Sequence, residues 1–308
     1  MAAAGAGMKT PFGITLLPPG SRIAAYVRST GVQTGDDQFT ASNLVPTLAA
    51  GLAKVRAGLG DTVAVLPGHS ESVTDATMLT NLVAGTRIVG FGRGSNMPVF
   101  RWTATGSQWV LDDADVTITG LRLRLEGANG VVKAIVSTAA DIGIYGCDIE
   151  VASGASNKAT IALEIGAASH RFELIGNVFR GTATHNVTDG VKLVGVSDQV
   201  RITDNEMVFS ATAANGLIDV TSAVTGLKVL RNVLDNTMTA STSCITVATA
   251  TAATGVFADN YCAILTDGTA SATGILFPGS PSATIKCFQN FCSDQPRLSG
   301  LLSPVAAT

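Results

Sequence analysis

The chain has 308 residues, 14% of them charged and 46% hydrophobic, and a formal net charge of −3. That balance supplies no basic stripe for a nucleic-acid partner, and no apolar run reaches the roughly 18 residues that would cross a membrane. Its five cysteines and three histidines are scattered without ligand or triad spacing, which predicts no metal and no other cofactor.

Residues 1–40 open with the small-residue run MAAAGAGMKT, which lacks the apolar core of a signal peptide, and then carry Pro11, Pro18, Pro19 and Gly20. They show little helical or strand periodicity, so an extended arm is expected. Its apolar residues Ile14, Leu16, Leu17, Ile23, Tyr26 and Val27 exceed what a solvated linker needs, which makes the arm a candidate tether to a larger particle. A helix is predicted next, over 42–58. Ser42 is placed to N-cap it, Pro46 lies in its first turn, Leu44, Leu48, Leu52 and Val55 form its stripe, and Gly58 and Gly60 end it. The segment Gly60-Asp-Thr-Val-Ala-Val-Leu-Pro-Gly-His69 then starts a strand at Val63 and Val65 and turns at Pro67-Gly68.

From there to residue 293 the chain repeats. Asn177, Asn205, Asn232, Asn260 and Asn290 recur every 27 to 30 residues, and the same register runs back through Cys147, Leu121 and Phe91. Apolar columns lie five and three residues before the marker and two after it, broken by Gly255 and by Arg93. Period-two spacing of this kind is strand geometry. A further strand per repeat is read at 161–165, 191–194, 217–220, 245–247 and 275–277. Three short strands in about 28 residues define an all-β chain, a parallel β-helix in which one column stacks at about 4.8 Å per coil. The stacked asparagines would then bond to one another inside the coil and serve as a structural ladder. Cys147 takes a ladder position, and Cys262 and Cys292 read as small core residues. Residues 294–308 form a short tail.

The helix followed by GDTVAVLPGH resembles the start of the β-helix in pectate-lyase-like proteins and bacteriophage tailspikes, and the likeness extends through the coils to about residue 293. The resemblance implies a right-handed, single-stranded β-helix and a parallel homotrimer. With its N-terminal arm, the chain looks most like a phage virion protein, a non-enzymatic capsid decoration in first place. The arm would join the major capsid protein or another virion protein, after synthesis in the host cytoplasm. A host surface glycan stays open as a further partner.

Outward columns carry the competing readings. Glu173, Arg201 and Lys228 stand four residues before the marker on successive coils, where a lyase could place a base; a short surface ion-pair ladder explains them better, since one carboxylate in the column makes no calcium site. Asp148 and Glu206 lie two coils apart, about 9.6 Å, at the edge of the spacing for an inverting glycosidase, with Val178 between them. Lys192 and Asp219 read as an ion pair. The apolar residues Tyr145, Ile175, Leu230 and Phe288, two before the marker, and Val178, Val233, Tyr261 and Phe291, one after it, form the candidate subunit interface. No catalytic residue is assigned; the alternative function is a receptor-binding tailspike with polysaccharide depolymerase activity.

Overall fold

Alternation of inward apolar and outward polar residues commits each short segment to one sheet face, and repetition stacks those segments in register. A computed structural model of the chain describes residues 21–30, 42–125, 131–153, 158–182, 187–212, 216–238, 243–248, 252–264, 274–276 and 284–294. Within them lie three parallel sheets of a β-solenoid, of eleven, nine and seven strands. Sheet A runs through Arg87–Gly90, Thr117–Thr119, Gly143–Tyr145, Glu173–Ile175, Arg201–Thr203, Leu227–Leu230, Thr254–Ala258 and Thr284–Phe288. Sheet B runs from Ser70–Val73 and Val99–Trp102 through Arg122–Arg124, Asp148–Ala152, Val178–Gly181, Glu206–Phe209, Val233–Asn236 and Tyr261–Ile264 to Phe291–Asp294. Sheet C begins at Trp109–Leu111 and includes Ala159–Ile165, Asp189–Leu193, Ile218–Val220, Ser243–Val247 and Gly274–Leu276, close to the strands read from the sequence.

The inward columns form one core. Ile88, Ile118, Ile144, Leu174, Ile202, Val229 and Phe257 are buried on sheet A, and Leu123, Ile149, Phe179, Met207, Leu234 and Cys262 on sheet B. Arg93 does not belong to the second column. The chain inserts a short 3₁₀ turn at Gly94–Asn96 before the strand resumes, and Phe100 is the residue in register with Leu123. Gly255 interrupts its column because a side chain there would overlap the carbonyl of Leu227 one coil below.

The N-terminal end departs from the sequence expectation. Ile23–Val27 is not part of an arm but a strand, β1, lying between Leu44–Val45 (β2) and Thr62–Val65 (β3) in sheet A. Ala25 and Val27 are fully buried, and Tyr26 packs against Leu44 and Leu66. Ile23, Tyr26 and Val27 therefore belong to the solenoid. Ile14, Leu16 and Leu17 lie outside the described residues, as does the 295–308 part of the tail. The predicted helix over 42–58 contracts to Leu48–Leu52 (α1), because β2 takes up the first part of that stretch. Its N-cap is Thr47, not Ser42; the Thr47 hydroxyl accepts from Ala50 N and the Glu71 carboxylate from Leu48 N. Leu48 and Leu52 still cover the end of the core. Asp61, fully buried, ties the pieces together by accepting from Arg22 and, at 2.7–2.8 Å, from the Arg56 guanidinium.

Candidate functional site

The corner between sheets A and B is built from two residues per coil. The first adopts a left-handed conformation: Gly120, Gly146, Gly176, Asp204, Arg231, Asp259 and Gln289 all have φ between 48° and 68°. The second is the ladder residue. Each asparagine Oδ1 accepts from the backbone N–H and the Nδ2 of the asparagine one coil earlier; Asn205 Oδ1, for example, lies 2.9 and 3.1 Å from those atoms of Asn177. Each Nδ2 also donates to a strand carbonyl below, as from Asn232 to Ile202 at 2.9 Å. The series continues through Asn260 and Asn290 and begins at Cys147, whose N–H donates to Asn177 Oδ1. All five asparagines are buried, so they carry structure and leave no group for chemistry. Burial pushes the Cys147 thiol up to about 12, so it is not poised as a nucleophile, and Cys244 and Cys262 are buried as well.

A second left-handed column stands six residues before the marker, at Gly85, Asp115, Asp141, Arg171, Gln199 and Gly226. A left-handed residue that is not glycine is strained, and cross-coil forks brace both columns. Arg171 holds Asp141 with two bonds of 2.6 Å, and Arg231 holds Asp204 with two of 2.7 Å. The arginine keeps each aspartate below its ordinary range.

Two shallow grooves of about 600 Å³ lie on either side of the asparagine corner. The groove on sheet A holds Asp115, Asp141 and Glu173 against Arg171, Arg201 and Lys228, three charges of each sign. Glu173 accepts from Arg201 Nη1 and from the Tyr145 hydroxyl, both at 2.7 Å, and burial together with that carboxylate raises the Tyr145 pKa. The Glu173, Arg201 and Lys228 column thus lines a groove in which Glu173 and Arg201 form an ion pair.

The groove on sheet B is different. Arg101, Arg122, Arg124 and Arg180 face Asp148 and Glu150 across three coil steps. Arg122 pairs with Asp148 at 2.9 Å and Arg124 with Glu150 at 2.8 Å, each bridging adjacent strands in direct register. Arg180 is exposed, stands beside Glu150 in register, and makes no ion pair among the described residues. Among the described lining residues four arginines meet two carboxylates. Val178 does separate the expected pair Asp148 and Glu206 in the register, but Arg122 already occupies Asp148. The missed signal was the column three after the marker, where Arg124, Glu150 and Arg180 follow one another.

On sheet C, Lys192 lies 3.0 Å from Asp189 and 3.6 Å from Asp219, both carboxylates nearly or fully buried. Burial and the neighbouring Asp189 push the Asp219 carboxyl up to about 6. Asp189 escaped notice in the sequence because it is in register with the apolar Ile161. Trp102 and Trp109, the chain's two tryptophans, are fully buried against each other and cannot stack on a ligand. His69 is buried beside Phe100 and bonded to Glu71, and His170 faces Asp198; His185 lies outside the described residues.

The candidate interface residues separate into groups. Tyr145 is bonded into the sheet A groove, whereas Ile175, Val178 and Leu230 are half-buried. Val233, Tyr261, Phe288 and Phe291 are 45–52% exposed and cluster on the last described coils, where Val233, Tyr261 and Phe291 align across sheet B.

No family model matches the chain, and no curated protein does. Among solved structures it is similar to the crystal structure of a GH136 lacto-N-biosidase from Eubacterium ramulus, with 8% sequence identity and a TM-score of 0.39 over 88% of this chain and 67% of that one. A likeness at this level carries no activity across.

Proposed function

We propose that this chain is a non-catalytic structural protein of a phage virion, a tailspike-like β-helix that associates as a homotrimer and decorates the capsid. The observation that carries self-association is the exposed cluster of Val233, Tyr261, Phe288 and Phe291. Each such side chain, once covered, contributes on the order of 1.5–3 kcal/mol, and a solvated coil has no use for three of them aligned on sheet B with Phe288 exposed on sheet A of the last described coil. The virion assignment rests on the resemblance of residues 42–69 and the following coils to tailspikes. Attachment through the segment before β1, with Ile14, Leu16 and Leu17, belongs to the same proposal. The carboxylates at the centre of the two grooves, Asp141, Asp148, Glu150 and Glu173, are each bonded to an arginine, which supports a structural role over an acid–base one.

Sedimentation at micromolar concentration should give about three times the 31.3 kDa chain mass. Val233→Asp combined with Phe291→Asp should give monomer with an unchanged circular dichroism spectrum. Labelled protein on intact particles should cover the head. A monomeric parent sinks the trimer, and label confined to the tail favours a receptor-binding spike with depolymerase activity, the second reading that the two grooves keep open.

A further inference from the structure

We propose that the groove on sheet B binds an anionic glycan, an oligosaccharide bearing carboxylate or sulfate groups. Guanidinium groups meet such oxyanions with paired, charge-assisted hydrogen bonds, and Arg101, Arg122, Arg124 and Arg180 open onto one groove of about 590 Å³. The solenoid fixes their spacing. Arg124 and Arg180 occupy one outward column two coils apart, hence about 9.6 Å at the backbone, which suits charges carried on alternate sugars of an extended chain.

Asp148 and Glu150 alternate with the arginines and distinguish this ligand from a nucleic acid. A phosphodiester chain presents charge at every unit, so interleaved carboxylates would repel it, and no aromatic residue is among the described lining residues to stack a base. A sugar chain presents hydroxyls between its charges, and carboxylates accept hydrogen bonds from hydroxyls. The sheet A groove, of similar size, provides an internal contrast because its six described charged lining residues cancel.

The test uses the full chain and fluorescence anisotropy with labelled hexasaccharides of hyaluronan, which carries a carboxylate on alternate sugars and no sulfate, and of chondroitin sulfate, dextran of equal length, and a single-stranded oligothymidylate. One or both anionic hexasaccharides should bind, more weakly as salt rises, and dextran should not. Binding of both assigns recognition to the carboxylate that the two share, and binding of chondroitin sulfate alone assigns it to sulfate. Arg180→Gln, which breaks no ion pair among the described residues, should weaken binding about tenfold, whereas Lys228→Gln in the other groove should leave it unchanged. Failure of both anionic probes at about 1 mM, tighter binding of the oligothymidylate, or equal competition by inorganic sulfate would overturn the proposal. Sedimentation of the same samples reports self-association separately, since Arg180 and the exposed apolar cluster lie on different coils.

Discussion

One outward face of sheet B changes character along the solenoid. In the earlier coils it is a grid of arginines and carboxylates, with Arg122 in register with Asp148 and Arg124 with Glu150; in the last coils the same column reads Val233, Tyr261, Phe291. The inward residues of both halves are alike, and the left-handed corner residue is common to them, Gly120 and Gly146 early and Arg231 and Asp259 late, although the asparagine beside it begins only at Asn177. The coil is therefore specified by its interior and its corner, while the outer face is free to take one chemistry early and another late. Where charges face each other, cross-strand pairs satisfy them; where apolar groups align, a partner is needed.

That contrast has meaning only on a shared scaffold, and the most drastic way to break it is to remove the end on which every coil rests. Deleting residues 1–40 takes out β1 and uncovers Val63 and Val65. A loss of at least about 5 kcal/mol follows from the lost apolar burial and ladder bonds, read as a collapsed melting temperature, whereas deletion of residues 1–20 should leave the melt intact.

A sharper probe substitutes the ladder once in each half. Asn177→Leu orphans Cys147 N and the Ile144 carbonyl, and Asn232→Leu orphans Asn205 N and the Ile202 carbonyl. Each should cost about 1–3 kcal/mol per orphaned buried group, and the two denaturant midpoints should fall together. Unequal losses would mean that the halves differ inside as well as out.

Titration separates the first coil from sheet C. The Arg56 guanidinium holds the Asp61 carboxyl well below its ordinary range, so its stabilisation is present above about pH 4 and is lost as pH falls below that. Asp219 is raised to about 6, so its contribution is complete below about pH 4 and is lost as pH rises through 6. Melting temperature should rise as pH drops from about 7 to 5 and turn down below about 4. Asp219→Asn should flatten the upper limb only.

The smallest effect is expected from turning charged coils into apolar ones. Arg122→Val with Asp148→Val removes a partly exposed pair and should shift stability by no more than about 1 kcal/mol. A larger loss would show that the charged face helps hold the coil.

The columns around the marker made sheets A and B legible from sequence, because each residue has homologous positions above and below that repeat its character. β1 was not legible for the converse reason. It has no periodic copy, and its partner β3 lies beyond an intervening strand and helix in the chain. Thr47 displaced Ser42 as the cap because the preceding residues pair with β1 instead of coiling. The groove charges were present in the sequence, but Arg101 sits after the insertion at Gly94–Asn96, out of step with the marker. Only the three-dimensional register brings it beside Arg124.

The sheet orders have a consequence in time. Apart from the β2–β1–β3 cap, each described strand bonds only to the coil before and the coil after it, so no strand pairing among the described residues waits for a distant part of the chain. At a ribosomal rate of about 5–20 residues per second, a new layer of about 28 residues emerges every few seconds. The cap is made first and presents a finished edge, and each later layer can settle on its predecessor before the next appears. Growth of the nascent protein is then a sequence of local additions, with a single open edge travelling ahead of the completed structure.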